Sequence, residues 1–133
     1  MKDYFVVLGA CLLLLTGCGT NVRVTGTVSF EDGSPLTTGV VIFNSGKAES
    51  TAPIEKDGSY KVGTLKSDDG LPPGTYQVYI SGAALYPQIG AMGQPLGSVV
   101  HLIDTKFTSP ETSGLTCEVK RNRIFDITVT PPK

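Results

Sequence analysis

"VRVTGTVSFEDGSPL", residues 22–36, is the stretch on which the fold turns. Val22, Val24, Gly26, Val28 and Phe30 fall on one face, and Arg23, Thr25, Thr27 and Ser29 on the other. Period-two alternation of this kind marks a strand with one face in a core and the other in water. The Asp-Gly pair at 32–33 then supplies a tight turn, and Pro35 closes it.

The same pattern recurs along the chain. "GVVIF" at 39–43 is a continuous apolar run that suits a central strand, and a weaker strand fits within 48–54. "KDGSYKV" at 56–62 holds a second Asp-Gly turn and places Tyr60 and Val62 on one face. In "GLPPGTYQVYISG", 70–82, the prolines delay the strand to about Thr75, after which Tyr76, Val78 and Ile80 point inward. Residues 83–97, "AALYPQIGAMGQPLG", break the rhythm and read as a long irregular loop, with a strand resuming near 98–103. This loop is expected to fold partly over a sheet edge. "SPETSG" at 109–114 reads as one helical turn, with Ser109 as its N-cap, Pro110 at the first position and Gly114 as its stop. "GLTCEVK" puts Leu115, Cys117 and Val119 on one face, and "FDITVT" turns Phe125, Ile127 and Val129 inward before Pro131 and Pro132 end the strand.

No segment after residue 21 repeats with the helical period over three turns. The expectation is an all-β domain over 22–130, a single antiparallel sandwich of roughly seven or eight strands, with a short tail at 131–133.

The N-terminus has a different character. "YFVVLGACLLLL" at 4–15 is uncharged, follows Lys2, and is too short for a spanning helix of about 20 residues. A basic residue, an apolar run and then small residues make a secretory signal. Leu15-Thr16-Gly17-Cys18 resembles the bacterial lipobox, in which the peptidase cuts before a cysteine that carries a diacylglycerol. Residues 1–17 are then the signal peptide, Cys18 the lipidation site and 18–21 a short tether. Acyl chains contributing about 0.8 kcal/mol per buried methylene anchor a protein without a spanning helix. Gly19 stands where an aspartate would often signal inner-membrane retention, which favours an outer-membrane or surface address.

Charge narrows the partners. The net charge is −1, and removing Lys2 and Asp3 with the signal peptide leaves it unchanged. Nothing in that balance draws the domain to nucleic acid or to an anionic membrane. "KRNR" at 120–123 reads as the solvated end of a hairpin. Of three cysteines, Cys11 leaves with the signal peptide and Cys18 is lipidated, so Cys117 stands alone without a disulfide.

Chemistry finds little material. His101 is the only histidine, and a pair with Cys117 would need adjacent strands and a shared pocket. Cys117 between Leu115 and Val119 reads instead as a small buried hydrophobe, so no catalytic residue is assigned. One histidine and one free cysteine do not make a zinc site, and neither a metal nor a cofactor is expected. Glu31, Asp32, Asp57, Asp68 and Asp69 lie in loops and could suit calcium, but hairpins need Asp-Gly pairs anyway. A saccharide would need exposed aromatic rings. There is no tryptophan, so Tyr79, outward on its strand, and Tyr86, in the long loop, are the available ligand contacts.

Three stretches together resemble one family: "VTGTVSFEDGSPL" at 24–36, "KDGSYKVGTL" at 56–65 and "GLPPGTYQVYIS" at 70–81. They are similar to the carboxypeptidase regulatory-like domains, which have a transthyretin-like (prealbumin-like) sandwich. "KFTSPETSGLTCEVKRN" at 106–122 resembles the end of short envelope lipoproteins of this kind, abundant in planctomycetes. Cys117, where a valine-like residue is expected, and the 83–97 loop depart from the shared pattern. The resemblance implies a non-catalytic structural or binding module, anchored to the cell envelope, with an envelope protein or a polysaccharide as partner. Hydrolases also occur on a distant branch of the transthyretin-like fold, but they use clustered histidines and arginines.

Overall fold

The computed structural model describes residues 21–63 and 69–133, so Cys18 and Asp68 lie outside the described residues. The described residues are all-β, with several open sheets. Ten strands occur among the described residues: β1 (Val24–Phe30), β2 (Val40–Asn44), β3 (Glu49–Pro53), β4 (Ser59–Lys61), β5 (Gly74–Ser81), β6 (Ala84–Leu85), β7 (Val100–His101), β8 (Leu115–Val119), β9 (Arg123–Ile124) and β10 (Ile127–Val129). One sheet runs β3-β2-β5-β8, with every pair antiparallel. In the other, β1 is central, antiparallel to β4 and parallel to β9 and β10.

The apolar faces meet as the alternation requires. Val24 and Val28 of β1 share one buried cluster with Val41 and Phe43 of β2, Tyr76, Val78 and Ile80 of β5, Cys117 and Val119 of β8, and Ile127 and Val129 of β10. Phe43 is central, its ring centroid 6.2 Å from those of Tyr60, Tyr76 and Phe125. Tilted and edge-on rings at this spacing favour each other beyond the area they bury. The weak strand at 48–54 is β3, on the edge of its sheet.

The expectation of a single antiparallel sandwich needs correction at β1, where two pairings are parallel, and ten strands stand among the described residues where seven or eight were expected. After β8 the chain turns through 120–122 and crosses to the other sheet, so it runs alongside β1 in the same direction. "KRNR" is therefore a crossover turn and not the end of a hairpin. β9 and β10 follow β1 in one register, Thr25 opposite Ile124 and Val28 opposite Ile127, interrupted at Phe125 and Asp126. There the Asp126 carboxylate accepts from the Thr27 N–H at 3.0 Å and from its hydroxyl at 3.1 Å. The Tyr60 hydroxyl donates to the Phe125 carbonyl. Tyr60 pairs with Gly26, and a Cβ at Gly26 would collide with that carbonyl. The glycine lets the crossover strand close on β1 beneath the tyrosine ring.

The two Asp-Gly turns are near copies. Asp32 accepts from Ser34 N at 2.9 Å and Ser34 Oγ at 2.6 Å, and Asp57 does the same with Ser59 at 2.9 and 2.6 Å. The serine hydroxyls hold both carboxyls below their ordinary range. These turns engage Asp32 and Asp57, two of the acids that a cation site would have used. Among the described residues, no group of three or more His, Cys, Asp or Glu side chains is arranged to hold a metal ion.

Register fixes two ends of the molecule. Val22 bonds with Leu71 just before β5, and Gly74 pairs with Val119, so the start of β1, the start of β5 and the end of β8 lie together. Ser81, at the far end of β5, pairs with Val40, and Asp104 N reaches the Thr130 carbonyl beyond β10 at 2.8 Å. The ends are separated by a strand of seven residues, about 25 Å.

Candidate functional site

Between β5 and residue 103 the chain leaves the core and returns to it. Gly82, at φ 69°, releases it from β5. The segment expected as an irregular loop is a hairpin arm. β6 and β7 pair Ala84 with His101 and Leu85 with Val100, and the Ala83 carbonyl receives Leu102 N at 3.0 Å. Further out, Leu96 N donates to Gln88 O and Gly90 N to Gln94 O, both at 2.7 Å, and Ile89 bridges to Pro95. The glycines and prolines that hid the strands from the alternation build the tip, where Gly93 has φ 79°.

The arm does not cover a sheet edge as expected. Ala83 and Ala84 are buried at its root, whereas Leu85, Tyr86, Ile89, Leu96, Val99 and Val100 are exposed and Met92 is 91% exposed. No charged side chain occurs from Gly70 to Ile103, a signal in the sequence that marks this surface. An apolar ribbon without charges suits contact with an uncharged surface.

At the arm's root a cleft of about 240 Å³ is lined by Ser81, Tyr86, His101, Ile103, Thr105 and Thr108. Thr105 and Thr108 belong to a 3-10 turn at Thr105–Thr108, held to the core by the buried Phe107, with Asp104 capping Lys106 N at 3.0 Å. Spacing alone gave no sign of this turn. The following 109–114 segment is the expected helical turn: Ser113 N donates to Ser109 O at 3.0 Å, and Gly114 stops it at φ 70°. The Ser109 hydroxyl donates to Glu111 and caps no backbone amide, which corrects that detail. Ser113 Oγ, buried, ties the turn to Val78 O at 2.5 Å. The hydroxyls of 106–120 thus hold the cleft's base in place.

The structure separates the other candidates. His101 is exposed on the arm, whereas Cys117 is free and fully buried in β8, its thiol pushed up by burial. Tyr79 lies half-buried on the outer face of β5, and its hydroxyl donates to Glu49 Oε2 at 3.1 Å. Burial, then this hydrogen bond, raises its pKa. Tyr86, 69% exposed, lines the same cleft as His101, which sequence spacing did not reveal.

Fold and site together define an all-β module of open sheets with a projecting apolar arm. No family model matches the chain, and no curated protein does. It is similar to a crystal structure of a DUF3823 family protein from Bacteroides ovatus ATCC 8483, with 22% sequence identity and a TM-score of 0.46. That match covers 84% of this chain and 45% of the other, so the chain spans less than half of that protein's length.

Proposed function

We propose that the chain is an exported lipoprotein, anchored through Cys18 to the outer membrane or cell surface, whose transthyretin-like domain is a non-catalytic binding module. The observation that carries the binding role is the arm: uncharged, apolar, hydrogen-bonded along its length and exposed. Leu15-Thr16-Gly17-Cys18 supports the anchor. The non-catalytic reading is supported by the separation of Cys117, in the core, from His101, on the arm. An envelope protein is the partner the arm suits best.

The tests are separable. Cys18→Ala blocks processing and leaves a precursor larger by residues 1–17; a wild-type N-terminus beginning unmodified beyond residue 18 sinks the anchor. Replacing 84–96 with a Gly-Ser connector leaves the β-sheet circular dichroism intact and removes partners recovered from detergent-solubilised envelope. Recovery of every partner by that variant sinks the arm as binding surface.

The cleft favours a second reading, a neutral polysaccharide. Tyr86 offers a ring face, and Ser81, Thr105 and Thr108 offer hydroxyls without a nearby formal charge in the lining. Under this reading Tyr86→Ala loses retention on an uncharged polysaccharide column while Tyr79→Phe keeps it.

A further inference from the structure

A net charge of −1 conceals an uneven distribution. Every arginine of the chain, Arg23, Arg121 and Arg123, gathers at the end where the described chain begins, with Lys120 beside them. Arg123 N donates to Arg23 O at 2.9 Å, and Arg23 N donates to Asn122 Oδ1 at 2.9 Å, so residues distant in sequence stand side by side. All four cationic side chains are exposed. Lys120, Arg121 and Arg123 line one open cleft of about 350 Å³, and Arg23 and Arg123 line a neighbouring one of about 250 Å³ with Ile124, an apolar side chain 72% exposed. Among the described residues, Glu118 and Asp69 bring carboxylates to this end. Glu118 pairs with Lys120 at 3.1 Å across an exposed surface, and Asp69 follows the segment outside the described residues, its carbonyl accepting from Asn21 at 3.3 Å. An exposed pair of this kind is worth little and leaves Lys120 able to exchange partners.

We propose that this end is a docking surface for an anionic lipid bilayer, which seats the domain on the membrane that holds Cys18. The proposal rests on the lipoprotein reading. Residues 19–21 span about 10 Å when extended, so a lipid on Cys18 brings this end, and not the arm, to the headgroups. That separation is close to the Debye length of about 8 Å at physiological salt, so opposite charges attract though partly screened. Guanidinium forks match phosphate oxygens in pairs. Ile124, adjoining Arg123, sits where an apolar side chain would enter the headgroup layer. The arm, at the opposite end, then faces away from that membrane.

The full processed chain is reconstituted in phosphatidylcholine vesicles and in matched vesicles containing phosphatidylglycerol, and lysines are acylated with a water-soluble succinimidyl ester. Each cation brought to an anionic surface strengthens association by about five-fold, so Lys120 is expected to react at least about ten-fold more slowly on the anionic vesicles. Lys106, beside the arm's root, keeps one rate on both, and high salt abolishes the difference. Arg121→Glu, an exposed turn substitution checked by circular dichroism, moves the Lys120 rate on anionic vesicles part of the way back toward its rate on neutral ones. Equal Lys120 rates on the two vesicles overturn the proposal, as does equal slowing by soluble polyphosphate, which would make a dissolved polyanion the occupant. The N-terminal mass from the same sample reads the anchor separately. Lipid on Cys18 with equal Lys120 rates refutes the surface alone, and unmodified Cys18 with slowed Lys120 refutes the anchor alone.

Discussion

The two-sheet body and the 83–102 arm both contain closely spaced apolar residues and both are paired β-structure, yet one buries its side chains and the other displays them. In β5, Tyr76, Val78 and Ile80 are buried because a second sheet lies opposite, with Phe43 and its ring neighbours filling the space between. In the arm, Leu85, Ile89 and Leu96 have a hydrogen-bonded partner strand but no second layer. Strand pairing satisfies the backbone; only a facing layer removes side chains from water. Apolar content by itself does not place a residue in a core, and an apolar ribbon left unfaced is a contact surface.

The comparison breaks most readily where the body is tightest. Gly26→Ala places a methyl group against the Phe125 carbonyl, which is backbone and cannot swing aside. A loss of about 4 kcal/mol is expected, read as a lowered urea midpoint at unchanged slope. Wild-type stability in this variant would mean that β1 and the crossover strand do not approach as closely as described.

Tyr60→Phe removes the hydroxyl that satisfies the Phe125 carbonyl, at a cost of about 1–3 kcal/mol. The same substitution carries a pH signature. Burial raises the Tyr60 phenol above its ordinary 10.0, so its contribution is complete below that value and declines as pH climbs beyond it. The variant should flatten that alkaline decline. A variant with the wild-type alkaline profile would assign the decline to another group.

Cys117→Val retains volume and apolar character and should cost less than about 1.5 kcal/mol. In the native protein, Cys117 should resist thiol reagents until unfolding, because the side chain is buried and its pKa is raised by that burial. Rapid native labelling would move this residue out of the body's interior.

The smallest effect belongs to the arm. Ile89→Ser and Met92→Ser should each shift stability by no more than about 0.5 kcal/mol, since both side chains stay mostly in water on folding. A larger loss in thermal or urea denaturation would show that the arm packs on the body after all, and would erase the contrast.

Several residues announced their places in the sequence. The alternation in 22–30, 75–81, 115–119 and 125–130 put Val24, Val28, Tyr76, Val78, Ile80, Cys117, Val119, Ile127 and Val129 in the core, where they are found. Period two is a local property of the backbone, and a single strand displays it without reference to its neighbours. The Asp-Gly turns were legible for the same reason, since Asp32 and Asp57 find their partners two residues away. The arm was only half legible. Gln88, Gly90, Gln94 and Leu96 pair through backbone groups that leave no mark in side-chain pattern.

What the sequence by itself determined was the class of structure and the inward face of each long strand, because both follow from interactions within a few residues. Tertiary structure decided which strands became neighbours. It laid β9 and β10 parallel to β1, set Tyr60 over Gly26, put Tyr86 and His101 on one cleft, and gathered Arg23 with Arg121 and Arg123. Each of these joins residues far apart in the chain, where the side-chain period is silent and only the closing of two sheets over one core selects the partner.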